Sequence, residues 1–209
     1  MEDTWLTRAK RLHALASTGL HFGESDFDRE RYQEIADIAA AMISDLGQVP
    51  LARLQGLFPD FAKGYATPKI DVRAAVIRND QVLLVREKID QLWTLPGGYA
   101  DVGLSAAENT RKEVREEACI DVSVDRLIGV FHKAKHEYRQ DVRDFYKFYF
   151  LCSETGPGQQ QPTAGSETLD ARYFPLDALP ALSQGRTIER HIQLAFEHFR
   201  NPALPVVFD

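Results

Sequence analysis

A pair of glycines followed at once by an acidic helix dominates the layout of this chain. Gly97 and Gly98 come after a short apolar run that ends at Pro96. Glycine reaches backbone angles that other residues avoid, and proline cannot donate to a central strand ladder, so the chain must turn here. Ser105 and Glu108 then have the spacing of a capping box, which predicts the start of a helix.

Three carboxylates of this predicted helix share one face. Glu113, Glu116 and Glu117 are spaced i, i+3 and i+4, so they project from the same side. Glu116 has Lys112 four residues before it as a partner, whereas Glu113 and Glu117 have only each other. Such a like-charge pair costs about 0.2–0.5 kcal/mol on an exposed helix. A cation should compensate for this repulsion, and clustered carboxylates suit Mg²⁺ or Mn²⁺.

The alternative is a solvated acidic face, which is the commoner fate of a glutamate-rich helix. The context favours the metal site, because the stretch from Trp93 to Ile120 resembles the Nudix box. The pattern of that family is Gly-x5-Glu-x7-Arg-Glu-(apolar)-x-Glu-Glu-x-Gly-(apolar). Aligned on Gly98, the sequence keeps the three helix glutamates in register. It departs at three positions, where Leu104 stands for Glu, Lys112 for Arg and Cys119 for Gly.

The departures concern a loop–helix contact of the family. In Nudix proteins the first Glu and the Arg of the box brace the loop against the helix. Leu104 and Lys112 replace both of them, so the resemblance predicts that this brace is absent here. We interpret the change as a variant architecture, because the metal-binding glutamates of the box are retained.

The resemblance also implies the ligands of the metal. Glu113 and Glu117 correspond to the principal ligands, Glu116 to a ligand or water-orienting base, and the Gly97 carbonyl to a further ligand. Many Nudix enzymes place an extra carboxylate on a later loop, as metal ligand or general base. Glu167 is the residue here that matches that position.

The residues from Gly97 to Ser105 resemble one branch of the family in particular. Its members carry a helical N-terminal segment and hydrolyse nucleoside diphosphates linked to another group, such as ADP-ribose or CDP-choline. The branch also has a similar His-Lys-x-Lys-His run. This resemblance implies that a cationic cluster contacts the substrate phosphates, namely His132, Lys133, Lys135 and His136. Arg86, at the end of a predicted strand, is a further candidate; a solvated arginine is the alternative.

Two amphipathic helices are predicted before residue 50. Apolar residues recur at helical spacing over 4–20 and again over 32–46, with Asp26 and Asp28 as caps of the second helix. A short helix is predicted after Pro50. A helical hairpin cannot bury both apolar faces alone, so it packs on the downstream domain, on a second copy of itself, or on both. The branch resemblance favours a homodimer.

The remaining elements predict the architecture. Periodicity is lost over 58–68, which places a boundary between an N-terminal helical domain, 1–66, and a Nudix domain, 67–209. Extended segments are predicted at 70–78, 81–87, 122–135, 144–152 and 168–174. A C-terminal helix that covers one side of the sheet is predicted at 187–200. Together they predict a Nudix α/β/α sandwich with a mixed sheet, in the α/β class.

Composition limits the functional classes. The 209 residues carry a net charge of −6, which argues against non-specific nucleic-acid binding through a basic surface. The sequence shows no signal peptide and no apolar run long enough to span a bilayer. Cys119 and Cys152 lack metal-ligand spacing, so we expect free thiols and a cytoplasmic protein.

These features predict a Mg²⁺- or Mn²⁺-dependent hydrolase of small-molecule nucleoside diphosphate-X substrates. Its products would be a nucleoside monophosphate and a phosphorylated X. Two alternatives stay open at this point. One is a nucleoside triphosphate pyrophosphohydrolase, which shares the box. The other is a nucleotide-binding regulator that has lost turnover, an alternative that the departure at Leu104 leaves open.

Overall fold

The computed structural model divides the chain into two compact units. It describes residues 2–57, 65–156 and 160–209, and only the backbone at 55–57. The first unit comprises residues 1–69 with 134–145, and the second comprises 70–133 with 146–209. Part of the boundary predicted from the sequence, 58–64, lies outside the described residues.

Three helices in the first unit confirm the N-terminal helical prediction. They are α1 (Thr4–Phe22), α2 (Asp26–Gly47) and α3 (Leu51–Leu57). Asp3 caps α1, because its carboxylate accepts hydrogen bonds from the backbone N–H groups of Trp5 and Leu6. The predicted caps of α2 are wrong: Ser25 holds the cap position, while Asp26 and Asp28 lie in the first turn.

The core of the first unit combines the helices with a distant segment. Its buried apolar residues are Leu6, Ala9, Ile43, Leu54 and Val142. Val142 comes from 134–145 and packs so closely on α2 that a Cβ at Gly47 would meet it at 2.4 Å. Outside this core, α1 and α2 leave large apolar side chains exposed. Among the described residues, no helix is long and apolar enough to cross a membrane.

A seven-stranded mixed sheet organises the second unit. Its strands are β1 (Lys69–Arg78), β2 (Gln81–Glu87), β3 (Trp93–Thr94), β4 (Val122–His132), β5 (Phe145–Glu154), β6 (Thr168–Pro175) and β7 (Val207–Phe208). The order is β3-β2-β1-β5-β4-β7, and β6 pairs with β2. The β4–β7 pair is parallel, whereas β2 and β6 are antiparallel.

A two-residue hairpin turn, Asn79–Asp80, joins β1 to β2. Asn79 and Asp80 have φ values of 49° and 56°, the left-handed pair that a two-residue hairpin turn requires. Arg78 therefore pairs with Gln81. In contrast, β4 ends at His132, before the predicted 135, because the next three residues form a 3-10 helix.

Helices cover both faces of the sheet, α4 (Ala106–Ala118) on one and α5 (Glu189–Arg200) on the other. Val114 and Ala118 of α4 join one apolar cluster, and Ile192 and Phe196 of α5 join a second. Alternate strand residues supply the two clusters, as the pleat of a strand requires. The predicted α/β/α sandwich is confirmed.

Candidate active site

The glycine loop is hydrogen-bonded to β1. The Ala74 N–H donates to the Pro96 carbonyl at 2.8 Å, and the Val72 N–H donates to the Gly98 carbonyl at 2.9 Å. Gly97 between them has φ +144°, and a Cβ there would stand 2.0 Å from the Val72 carbonyl oxygen. Glycine is therefore required at position 97 for both conformation and space.

The helix behind this loop begins as the sequence predicts. The Ser105 hydroxyl accepts from the Glu108 N–H at 3.2 Å, and the Glu108 carboxylate accepts from the Ser105 N–H at 2.8 Å, which completes the capping box. The helix ends at Ala118, followed by Cys119 in the left-handed conformation with φ 54°. This is the conformation for which the family uses glycine.

Two helix glutamates lie directly on the glycine loop. The Glu117 carboxylate accepts a hydrogen bond from the Gly97 N–H at 2.8 Å. Both oxygens of Glu113 would lie 3.0 Å from a Cβ placed on Gly98. The missing side chains of the glycines thus let the backbone and the two carboxylates come together.

Burial makes these carboxylates hard to ionise. Desolvation raises the pKa of Glu113 to about 7 and that of Glu117 to about 8, and their mutual repulsion adds to the shift of Glu117. In the described part of the chain neither forms an ion pair. Glu116, by contrast, is exposed and lies 3.0 Å from the Lys112 ammonium, as predicted. A divalent cation would relieve the first two glutamates more than the third.

A buried arginine lies beneath the loop, and the sequence interpretation missed it. Arg73 is 3% exposed and donates to both carboxylate oxygens of Asp71, at 2.9 and 2.8 Å. It also donates to the Leu95 carbonyl at 3.1 Å, two residues before Gly97. Its charge opposes the pKa increases of the site carboxylates. Arg73 thus supports the segment that leads into the glycine loop by a hydrogen bond and acts on the site carboxylates through its charge.

Lys147 completes this buried charge network. Its ammonium lies 2.6 Å from Asp71, and burial lowers the pKa of the lysine, against the attraction of that carboxylate. Although burial alone would raise the pKa of Asp71, Arg73 and Lys147 bring it down to about 2. The only signal in the sequence was two charges, at 71 and 73, on one face of an otherwise apolar strand.

Glu87 is a second acid that the sequence interpretation missed. Glu87, at the end of β2, is buried and lies 3.1 Å from Arg186. Burial raises its pKa, and the charges of Asp90 and Glu167 add to that increase. Glu87 in turn contributes to the raised pKa of Glu117.

The predicted loop acid, Glu167, lies within electrostatic reach of this cluster. Its side chain is exposed, and its charge contributes to the raised pKa of both Glu113 and Glu87. The structure therefore places an additional carboxylate near the helix glutamates.

The predicted loss of the loop–helix brace is wrong. Lys112 lies 3.2 Å from Asp101 as well as 3.0 Å from Glu116. Asp101 precedes the exposed Leu104 by three residues and supplies the carboxylate that position 104 lacks. Asn109 adds to the same contact, because its side-chain oxygen accepts from the Asp101 N–H at 2.9 Å.

The predicted phosphate-binding residues belong to both units. Arg86 donates to the Gln91 carbonyl at 2.9 Å. The backbone N–H of His132 donates to the Asp209 carboxylate at 2.6 Å, and Lys133 is buried. Lys135 is exposed and, with the half-buried His136, belongs to the first unit.

The donor set fits a hard divalent cation. Within 2–57, 65–156 and 160–209, no three His, Cys, Asp or Glu side chains converge as a complete ligand group. Mg²⁺ does not need one, since it keeps several waters and binds through one or two carboxylates. Glu113 and Glu117 offer such carboxylates. The Gly97 carbonyl accepts no hydrogen bond from the described residues, so it is available as a third oxygen.

Comparison with known proteins adds independent evidence. A family described as a UDP-X-like N-terminal oligomerisation domain matches residues 3–58, and the NUDIX domain matches 68–195. YjhB of Bacillus subtilis, provisionally named an ADP-ribose pyrophosphatase, is 41% identical over 210 residues, covering 100% of this chain and 99% of that protein.

Two solved structures agree with this assignment. An ADP-ribose pyrophosphatase from Streptococcus suis is 38% identical, with a TM-score of 0.62, and the match covers 68% of this chain and 100% of that one. A UDP-X diphosphatase is 29% identical with a TM-score of 0.63, covering 98% of both chains. The predicted resemblance is confirmed: this chain belongs to the Nudix family and is a Nudix pyrophosphatase.

Proposed function

We propose that this protein hydrolyses the pyrophosphate bond of nucleoside diphosphate-X compounds of the ADP-ribose or CDP-choline type, with Mg²⁺ or Mn²⁺. One observation carries the proposal. Glu113 and Glu117 are largely buried against the Gly97–Gly98 backbone with raised pKa values, and no cation pairs with either in the described part of the chain. Such a site favours a divalent ion that a diphosphate can share.

The reaction needs few groups from the protein. When bound, the ion neutralises charge on the bridging phosphates. Glu113 and Glu117 would hold it, with the Gly97 carbonyl as a further ligand. Glu116 or Glu167 orients a water and accepts its proton as the water oxygen attacks phosphorus. The bridging P–O bond breaks, giving a nucleoside monophosphate and a phosphorylated X.

The substrate class rests on the relatives and on the added helical unit. Two of the similar proteins bear the name ADP-ribose pyrophosphatase and one is a UDP-X diphosphatase. All three names describe a diphosphate that links a nucleoside to a second group. We infer the same class here, and we infer that the cationic residues contact its phosphates, namely Arg86, His132, Lys133, Lys135 and His136.

We also infer a homodimer formed through an N-terminal domain of residues 1–66, with the Nudix domain at 67–209. Helices α1 and α2 expose more apolar surface than a solvated hairpin needs, including Trp5, Leu12, Leu15, Ile35 and Ile38. The matched N-terminal family is described as an oligomerisation domain, which supports the same inference. We also propose that the protein is cytoplasmic, on the basis of its two free thiols.

A substrate panel tests the proposed function. ADP-ribose, CDP-choline, a UDP-sugar and the nucleoside triphosphates are compared at one Mg²⁺ concentration, with chelator and Glu113→Gln as controls. We expect the highest kcat/KM for a diphosphate-X compound and no turnover in either control. A preference for a triphosphate would support the alternative of a nucleoside triphosphate pyrophosphohydrolase. Undiminished turnover in the presence of chelator would reject the metal site.

A further inference from the structure

The segment 163–168 docks on the last turn of α4, where helix carbonyls have no partners within the helix. The Ala118 carbonyl accepts from the Thr163 N–H at 3.0 Å, and the Glu117 carbonyl accepts from the Gly165 N–H at 3.2 Å. Gly165 approaches so closely that a Cβ there would stand 1.7 Å from the Glu116 carbonyl oxygen. This docking brings the segment against the helix that carries the site glutamates.

The Thr168 hydroxyl lies at the centre of this contact. It donates to the Glu117 carbonyl at 2.7 Å and accepts from the Gly165 N–H at 2.9 Å. Thr168 is 3% exposed, so water cannot readily replace either bond. A hydroxyl can donate and accept at once, and this one does both. One side chain therefore joins the helix end, the loop and the first residue of β6.

Thr168 is also a neighbour of three acidic residues of the site. It pairs with Glu87 across β2 and β6, beside the irregularity between Arg86 and Glu87. It follows Glu167 directly in the chain, and its hydroxyl holds the carbonyl of Glu117. The backbone of Glu167 is consequently held beside a residue whose own position is fixed to α4.

We propose that Thr168 is a positioning residue for the hydrolysis. Its hydroxyl ties the loop to the end of α4 and thereby holds the exposed Glu167 carboxylate towards Glu113. Without the hydroxyl, one hydrogen bond to the helix is lost and Gly165 keeps only its longer bond to Glu117. The inference rests on the proposed function, in which Glu167 serves the metal site as ligand or base.

The test compares three single variants on the best substrate of the panel. Thr168→Val keeps the shape but removes the hydroxyl, and Thr168→Ser keeps the hydroxyl. Thr163→Val is the matched control, because the exposed Thr163 hydroxyl makes no hydrogen bond with the described residues. We expect kcat to fall about tenfold or more in Thr168→Val, as for a displaced catalytic group, with little change in KM. Thr168→Ser and Thr163→Val should stay near wild type.

Amide hydrogen exchange supplies a readout that does not depend on turnover. In the folded protein, the Gly165 amide should exchange faster in Thr168→Val than in wild type and should recover in Thr168→Ser. Thermal unfolding of each variant confirms that the comparison is made on folded protein. Wild-type exchange at Gly165 in Thr168→Val would overturn the inference.

A second background separates positioning from simple stabilisation. If Thr168 acts through Glu167, then Thr168→Val should cost no further activity once Glu167→Gln is present. A full additional loss in that background, or wild-type kcat in the single variant, would overturn the inference alone. Undiminished turnover in Glu167→Gln would reject the role of Glu167 and this inference with it, whereas undiminished turnover in Glu113→Gln would reject the proposed metal site.

Discussion

Replacing Glu117 by glutamine tests how much the charge of this buried carboxylate changes the free energy of unfolding. Glu117 is 5% exposed, and burial raises its pKa from 4.5 to about 8. The folded protein therefore holds this proton more tightly than the unfolded chain does. The resulting stability is present in full below about pH 4.5 and is lost as the pH rises through 8. At about 1.36 kcal/mol per pKa unit, the loss is at most about 5 kcal/mol.

The assay follows the free energy of unfolding of metal-free protein from pH 5 to pH 9. Glutamine keeps an acceptor for the Gly97 N–H and carries no charge at any pH. We expect the variant and wild type to be similar at pH 5, and the variant to be about 2–4 kcal/mol more stable at pH 9, after relaxation around the site. Titrating groups that do not interact with Glu117 act equally on both proteins and cancel in the difference, whereas Glu113 and Glu87 interact with it and their share belongs to the measured effect.

Mg²⁺ should offset much of this difference at alkaline pH. At about 100 times its dissociation constant, Mg²⁺ stabilises a binding protein by about 2.7 kcal/mol, and glutamine at 117 should remove most of that gain. Glu34→Gln, at an exposed position on α2, is the matched control for the chemical change. A stability difference that does not vary with pH, or an unchanged Mg²⁺ response in Glu117→Gln, would refute the reasoning.

Two further predictions concern other parts of the chain. Cys119→Gly should raise stability by about 0.5–1 kcal/mol, because position 119 has φ 54°; a Tm increase of about 1–4 °C in thermal unfolding checks this, and a lower Tm contradicts it. If the proposed dimer forms through α2, Ile38→Glu should give a folded monomer in sedimentation, since this side chain is 55% exposed on α2; a variant that still dimerises would contradict an interface at this position.

Local patterns were sufficient for most elements of the fold. The hairpin at Asn79–Asp80 and the capping box at Ser105 are each encoded within a few residues, and the structure has both. The sequence also shows that neither Glu113 nor Glu117 has a basic partner on its own helix, because such partners lie three or four residues away. What the helix pattern could not give was how deeply those carboxylates are buried.

The charges around the site depend on pairings between distant parts of the chain. Lys147 meets Asp71 across 76 positions, and Arg186 meets Glu87 across 99. Neither pairing follows from spacing, because each requires knowledge of which strand or loop lies beside which. A charge inside an apolar strand, as at Arg73, indicates a buried partner but does not identify it.

The three departures from the Nudix box leave the helix glutamates in contact with the glycine loop, and the structure gives a local reason for each departure that follows. The Lys112 ammonium pairs with the loop carboxylate of Asp101, so the contact between loop and helix does not need a carboxylate at position 104. Cys119 adopts the left-handed conformation that the helix end demands, at a cost in strain only. All three changes lie outside the contact of Glu113 and Glu117 with the glycine loop. This contact is intact, because the Gly97 N–H donates to Glu117 at 2.8 Å, and it argues against a nucleotide-binding regulator that has lost turnover.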